Sequence, residues 1–490
     1  MYQIGNFPAT DEQARAIDLA LTGQSLKIEA GAGTGKSSTL TAIAHYTGKQ
    51  GVYIAYNRSV VVSARKVFPA SIECVTAHGM AYRAFGCQFK ERLEDRPTAP
   101  MIAEWLSRDD DPMGLSSNGW AYLVLETLQS FTCTADASIG QRHINQSALD
   151  PLPPGMRPAV AAAVAKDARK VWVDMTDPHG QLPVSHDVYL KEWATSSPTL
   201  DYDLILYDEA QDANPVMVAA VNSQKAQQIW VGDRYQNIYR WRGALNAMAE
   251  VATDHETQIT QSFRFGPAIA DIANQVLEKW LQADMRIRGF DKVDSKVSLQ
   301  PVANPTVVLC RTNMTAMQVF MEAIDANKSP IIVGGVNDLL RLLYGAGSLM
   351  AKKQPSTPSL IAFKSWKELV EYAESPVGAD LRVLVSLVRH YGVAKLIGAL
   401  KTVKGRRNGD LTICTAHKSK GLEWPIVALA DDFRFPGDGK DWCTDEANLL
   451  YVAVTRATKV LDISRCPAVH NLLGIEMDSQ DGDSQKGDKN

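Results

Sequence analysis

An excess of positive charge is missing: 51 lysines and arginines stand against 55 acidic residues, for a formal net charge of −4. That balance excludes a histone-like or polybasic binder, so any contact with nucleic acid is confined to a local basic groove. Cysteine is sparse. The seven present, at 74, 87, 133, 310, 414, 443 and 466, are odd in number, scattered and without a C-x-x-C pair. No disulfide framework is implied, and reduced thiols of an intracellular protein are the simplest account. No apolar run approaches membrane-spanning length, and the opening MYQIGNFPATDEQ has neither a basic n-region nor an apolar h-region. A cytoplasmic protein without membrane contact is expected. A repeat of fixed period is missing too. What is present is a globular composition, 45% hydrophobic and 22% charged, in 490 residues. That is room for roughly three or four domain-sized units with real cores.

The apolar pattern is that of an α/β protein. LKIEA from Leu26 reads as a strand, GAGTGKSS as a glycine turn and TLTAIAHYTG as a helix, and VYIAY and IECVT follow as short strands leading into helical stretches. Parallel strands with crossover helices are implied. From 88 to 195 the strand signal fades into turn-rich DRPTAP, DDDPMG and DPLPPGMRP and the Ala-rich AVAAAVAKDARKVW, a mostly helical insertion; it returns with DLILYDE and QIWVGD. A second α/β region opens near Ser262, with PTVVLC, a helix over 313–326 and PIIVGG; residues 341–407 read as a smaller helical insertion before LTICTA and PIVALAD. The expected organisation is a first parallel-sheet domain at 1–87 and 196–262 with its insertion at 88–195, a second at 263–340 and 408–476 with its insertion at 341–407, and a disordered polar tail at 477–490.

AGAGTGKS, Ala30 to Ser37, follows a strand and opens a helix, the context a phosphate loop requires. Gly31, Gly33 and Gly35 let backbone N–H groups close around phosphate oxygens, Lys36 adds a point charge, and Ser37 is a magnesium ligand. The strict pattern begins with Gly and this one begins with Ala30. In LILYDEAQD an apolar strand delivers Asp208 and Glu209 to its carboxyl end, where ligands bind in open α/β sheets. Asp208 suits magnesium through its water shell, and Glu209 suits polarisation of an attacking water. Alone, the two acids would read as a solvated turn. DRYQNIYRWRG, Asp233 to Gly243, interleaves three arginines with Tyr235, Tyr239 and Trp241. Flat cationic and aromatic groups suit a stacked, anionic ligand such as single-stranded nucleic acid, and a loop anchored by its aromatics is the plainer alternative.

In ordered blocks these motifs resemble the superfamily 1 DNA helicases of the UvrD/Rep type, most of all the small branch containing the F-box DNA helicases, with no F-box expected ahead of the motor. The resemblance implies two RecA-like motor domains, each with a helical insertion, binding ATP and Mg²⁺. ATDEQARAI resembles the adenine-reading Q motif, with Gln13 as reader; Thr34 and Ser38 complete the phosphate loop. VYIAYNRS and VTAHGMAYR resemble the DNA-contacting segments, carrying Tyr56, Asn57, Thr76, His78 and Arg83. VGDRYQNIYRWRGA is similar to motif III, which implies Gln236 as γ-phosphate sensor and Tyr239, Trp241 and Arg242 at bases and backbone. QSFRFG resembles motif IV, with Phe263 stacking on adenine and Arg264 reaching the γ-phosphate. CTAHKSKGLEW resembles motif V, with Gly421 and Glu423 at the ribose and His417 near DNA. LLYVAVTRA resembles motif VI, with Arg456 as the arginine finger, and ATP then bridges the two domains.

The function this implies is a monomeric, DNA-stimulated ATPase that moves 3′ to 5′ on single-stranded DNA and unwinds duplex at single-strand/duplex junctions, in repair, recombination or replication. A translocase that strips proteins from DNA is the alternative, motivated by the small second insertion. A catalytically dead binding module is disfavoured by the intact Lys36, Glu209, Gln236, Arg264 and Arg456. Lys401, Lys404, Arg406 and Arg407 read as a solvated loop or a DNA-backbone contact. Trp366 and the apolar stripe of 379–400 read as core, and Glu104 and Asp109–Asp111 as surface. No nuclease-like metal cluster is visible, so no cutting activity is expected.

Overall fold

The computed structural model describes residues 1–475 except 56, 94–96, 108–115, 151, 240–245, 354, 356, 358–359, 361–362, 375–378, 407 and 438–441. Tyr56, Trp241 and Arg242, and the tail from 476, lie outside the described residues. The chain forms two compact units, the first of Met1–Gly31 with Gly35–Ile259, the second of Ala32–Thr34 with the chain from Thr260 onward.

A two-stranded antiparallel ribbon, β1 (Gln3–Ile4) and β2 (Phe7–Pro8), precedes the first helix, Asp11–Leu21. The first unit is then built on six parallel strands: β3 (Leu26–Ala30), β4 (Gly51–Ala55), β5 (Ile72–Thr76), β6 (Leu204–Tyr207), β7 (Gln227–Gly232) and β8 (His255–Ile259), in the order β5-β4-β6-β7-β3-β8. Both faces are covered, which is why β4 (GVYIA) and β6 (LILY) are apolar throughout rather than alternating. Val52 and Ile54 of β4 and Ile205 and Tyr207 of β6 pack into one core, while Tyr53, Ala55, Leu204 and Leu206 pack into the other. The first of these cores continues through the segment between β5 and β6. There the helices Ala99–Leu106, Ser117–Thr132, Arg157–Thr176 and His186–Thr195 close around Trp120, Phe131, Val164 and Val171.

The second unit holds β9 (Lys296–Ser298), β10 (Val307–Cys310), β11 (Pro330–Ile332), β12 (Leu411–Thr415), β13 (Trp424–Leu429) and β14 (Ala457–Asp462), again parallel, in the order β11-β12-β10-β13-β14-β9. Between β11 and β12 run the helices Asn337–Met350, Trp366–Glu374, Ala379–Tyr391 and Val393–Val403. Leu384, Val388, Leu396 and Leu400 are buried there, with Trp366 against them. Among the described residues no single helix is long and apolar enough to cross a membrane. The chain is thus α/β with two parallel sheets, the architecture of two RecA-like domains.

Candidate functional site

All six strands of the first sheet point the same way, so β3, β7 and β6, which are neighbours, end at one edge. Each releases one of the motifs there: the phosphate loop after β3, Asp233–Gln236 after β7, and Asp208–Glu209 after β6. Such a carboxyl edge is where open α/β sheets bind ligands.

Gly33 and Gly35 take φ of +74° and +80°, a left-handed backbone that other residues rarely adopt. The helix Lys36–Thr47 starts directly behind them, with no side chain capping its N-terminus. An uncapped N-terminus following two left-handed glycines, beside the Lys36 ammonium, suits an anionic phosphate. Thr34 is buried, while Ser37 and Ser38 are exposed, and the Gly31 N–H donates to the Ile259 carbonyl (3.1 Å).

Lys36 Nζ lies 4.0 Å from Glu209 Oε1. Glu209 itself has φ of +53°, uncommon for a residue with a side chain, and this turn swings the backbone out of β6. Asp208 is buried and fully engaged. Its Oδ2 accepts both Ser37 Oγ (2.9 Å) and the Tyr53 hydroxyl (2.5 Å), and its Oδ1 accepts the Glu209 N–H (2.9 Å). Burial, followed by the neighbouring Glu209 charge, pushes the Asp208 carboxyl above its ordinary range, while Tyr53, Lys36 and Ser37 pull it back. Because Ser37 donates its proton to Asp208, its oxygen lone pairs remain for a cation. Among the described residues no group of three or more His, Cys, Asp or Glu could cage a metal. One hydroxyl and one carboxylate fit Mg²⁺, which keeps several waters and shares substrate phosphates.

Gln236 is buried, its Nε2 donating to Asp233 Oδ2 (2.7 Å). Two residues that motif reading passed over complete the first unit's site. Gln211, 0% exposed, donates from Nε2 to Glu209 Oε2 (2.5 Å) and accepts the Asp233 N–H on Oε1 (3.1 Å), so one carboxamide links the ends of β6 and β7. A Cβ on Gly232 would stand 2.5 Å from that Oε1, so only glycine leaves room for it. Tyr53 is the second. The available signal was a tyrosine in a wholly apolar strand, whose hydroxyl needs a buried partner.

The arginine-rich stretch divides. Arg234 bonds Glu29 of β3 through its N–H (2.8 Å) and Nε (2.6 Å), so this arginine is committed within the protein, contrary to the reading of the three arginines as one ligand-facing set. Tyr239 is half-buried. Gln13 serves locally as well: its Oε1 accepts the Thr10 N–H (3.1 Å) in a capping box and its Nε2 donates to Thr39 Oγ1 (3.3 Å). Asn57 and Thr76 are N-caps, taking the N–H groups of Val60 and Gly79 (each 3.0 Å). His78 pairs with Asp187 (3.1 Å), and Arg83 pairs with Glu73.

In the second unit, Phe263 is 42% exposed, with Phe290 edge-on to it (5.5 Å). Arg264 Nε donates to Glu423 Oε2 (2.7 Å) and its Nη1 to the Thr455 carbonyl (3.1 Å). Arg456 is 1% exposed, donating from Nε to the Val452 carbonyl (2.8 Å), from Nη1 to the Leu422 carbonyl (3.3 Å) and from Nη2 to Thr455 Oγ1 (3.0 Å). Gly421 turns at φ of +80°, and His417 is half-buried.

Comparison with known proteins agrees with this layout. Residues 13–242 match the model of the AAA domain, and residues 393–468 match the UvrD-like helicase C-terminal domain. The chain is 30% identical to F-box DNA helicase 1 of Gallus gallus over 512 aligned positions, 95% of this chain and 50% of that protein. It is also 30% identical to F-box DNA helicase protein 1 of Schizosaccharomyces pombe, over 92% of this chain and 57% of that one. A probable DNA helicase II homolog of Mycoplasma genitalium is 29% identical over 20% of the chain. The chain spans about half the length of the first two relatives. One match in each half, and relatives aligned along 95% and 92% of this chain, support a UvrD/Rep-like superfamily 1 helicase.

Proposed function

We propose that this chain is an ATP-dependent DNA helicase motor that moves 3′ to 5′ along single-stranded DNA and separates the duplex ahead of it, in repair, recombination or replication. The observation that carries the reading is the edge of the first sheet, where Lys36 stands 4.0 Å from Glu209 and Ser37 shares the Asp208 carboxylate. The names of the aligned relatives, all DNA helicases, support the substrate. Polarity rests on the resemblance of DEAQD and motif III to the UvrD/Rep branch.

In this reading the phosphate loop and Lys36 hold the triphosphate. Ser37 and Asp208 would hold Mg²⁺, which would supply charge neutralisation at the phosphates. Glu209 takes the proton of the attacking water, and its carboxylate is aimed by Gln211 and by the left-handed turn that follows β6. Gln211 also holds the Asp233 N–H, so a change at the γ-phosphate reaches the segment leading to Tyr239.

Strand displacement on partial duplexes carrying either a 3′ or a 5′ single-stranded tail tests the reading, beside streptavidin displacement from end-biotinylated oligonucleotides. Unwinding is expected from the 3′ tail, with ATPase low alone and strongly raised by single-stranded DNA. Glu209→Gln should abolish turnover and keep nucleotide binding. Unwinding only from a 5′ tail would reverse the polarity and leave the motor standing. Streptavidin displacement without strand separation would make the chain a protein-stripping translocase.

A further inference from the structure

We propose that Tyr53 is a positioning residue for divalent-cation recruitment, acting through Asp208; the proposal rests on the nucleotide-hydrolysis reading above. Tyr53 lies in the middle of β4, directly across from Leu206 of β6, two residues before Asp208. Its ring is wholly buried and rests against Phe68, with centroids 4.5 Å apart. The hydroxyl on a ring so held lies beside Ser37 as well as Asp208. It points at Asp208 Oδ2 (2.5 Å), the same oxygen that accepts Ser37 Oγ (2.9 Å), while the other carboxylate oxygen is fixed by the Glu209 N–H (2.9 Å).

Three donors therefore hold one carboxylate, and they come from three different segments: β4, the phosphate-loop helix and the turn after β6. A core tyrosine needs only some acceptor, and a backbone carbonyl would serve. Here the acceptor is the carboxylate that reads as the metal's outer ligand, shared with the hydroxyl that reads as its inner one. Ser37 and Tyr53 both line a cavity of about 900 Å³, together with Thr41, His45 and Ser59, so the two side chains that donate to Asp208 Oδ2 border space that hydrated ions can enter. Without the tyrosine hydroxyl the carboxylate loses one of its three anchors, keeping Ser37 on Oδ2 and the Glu209 N–H on Oδ1, and it is held less firmly. Ser37 then follows Asp208 or loses it, and in either case its lone pairs leave their aligned position.

The test is equilibrium binding of a fluorescent N-methylanthraniloyl-ADP to the full chain with and without Mg²⁺, comparing wild type with Tyr53→Phe, each alone and combined with Asp208→Asn. Expected for Tyr53→Phe is metal-free nucleotide affinity within about twofold of wild type. The Mg²⁺ concentration needed for half-maximal enhancement should rise about tenfold, the usual scale for losing a residue that orients a ligand. In the Asp208→Asn background the Tyr53→Phe change should add almost nothing, because the two act through one contact. An unchanged Mg²⁺ requirement overturns the proposal. So does an equal loss with and without metal, or a full additional loss in the Asp208→Asn background, either of which makes Tyr53 a packing residue. If the wild-type chain binds no nucleotide at all, the reading beneath the proposal fails, and that result is distinct from the others.

Discussion

Individual side chains assigned to DNA are already occupied by the protein's own acids. Arg83 is 58% exposed and pairs with Glu73, whose carboxyl is held below its usual range first by the Tyr202 hydroxyl (2.5 Å) and then by Arg83. A DNA phosphate arriving at Arg83 competes with that carboxylate, just as one arriving at His78 competes with Asp187. An exposed ion pair is worth about 0–1 kcal/mol. Glu73→Gln keeps an acceptor for Tyr202 and removes the competing charge, so affinity for single-stranded DNA should rise, by up to about fivefold. Fluorescence anisotropy with a labelled oligonucleotide at low salt measures it. A loss of affinity would remove Arg83 from the DNA-facing surface.

Whole elements are tied together in places where the residue type alone gives no hint of it. Lys191, on the helix His186–Thr195, is buried and donates to the carbonyls of Thr134 and Asp136 (each 2.6 Å), with its ammonium 4.3 Å from the Phe131 ring. It docks this helix against the end of the helix Ser117–Thr132. Burial lowers its pKa to about 8. Since a free lysine titrates at about 10.4, the unfolded chain binds more protons than the folded one between those values, and stability rises with pH across that window. The melting temperature of wild type relative to Lys191→Met should therefore widen in favour of wild type from pH 8 to pH 10. A gap that is flat or narrows over this range would mean that burial does not lower the Lys191 pKa. The strands teach a related lesson. The inner strands β4, β6, β10 and β12 stand out as largely apolar runs, whereas β3, LKIEA, buries Lys27 and Glu29 among its apolar residues. The edge strands β8 (HETQI, alternately exposed) and β9 (three residues) carry almost no apolar signal, and β14 was hidden because its sequence continues directly from a helical motif.

For the molecule as a whole, a net charge of −4 requires that any DNA groove be basic only locally. Each phosphate contacted releases condensed counterions, so the logarithm of affinity should fall with the logarithm of salt by about 0.7 per contact on a single strand. A slope of several units is expected despite the acidic total, and a salt-independent affinity would argue against a backbone-tracking groove. The sequence by itself determined the motifs and their order, because a phosphate loop, a strand ending in two acids and a glutamine a few residues past a third strand are each local patterns, legible from residue type and spacing. It determined the α/β class for the same reason, through runs of apolar residues that only a covered parallel sheet explains. Only the tertiary structure decided which side chains work together. Strand order brought the ends of β3, β7 and β6 to one edge, and so placed Tyr53 on Asp208, Gln211 between Glu209 and Asp233, and Arg234 on Glu29 rather than toward a ligand. Those partners lie tens to hundreds of residues apart in some cases, and hydrogen bonds over such separations are fixed by packing, which no local pattern encodes.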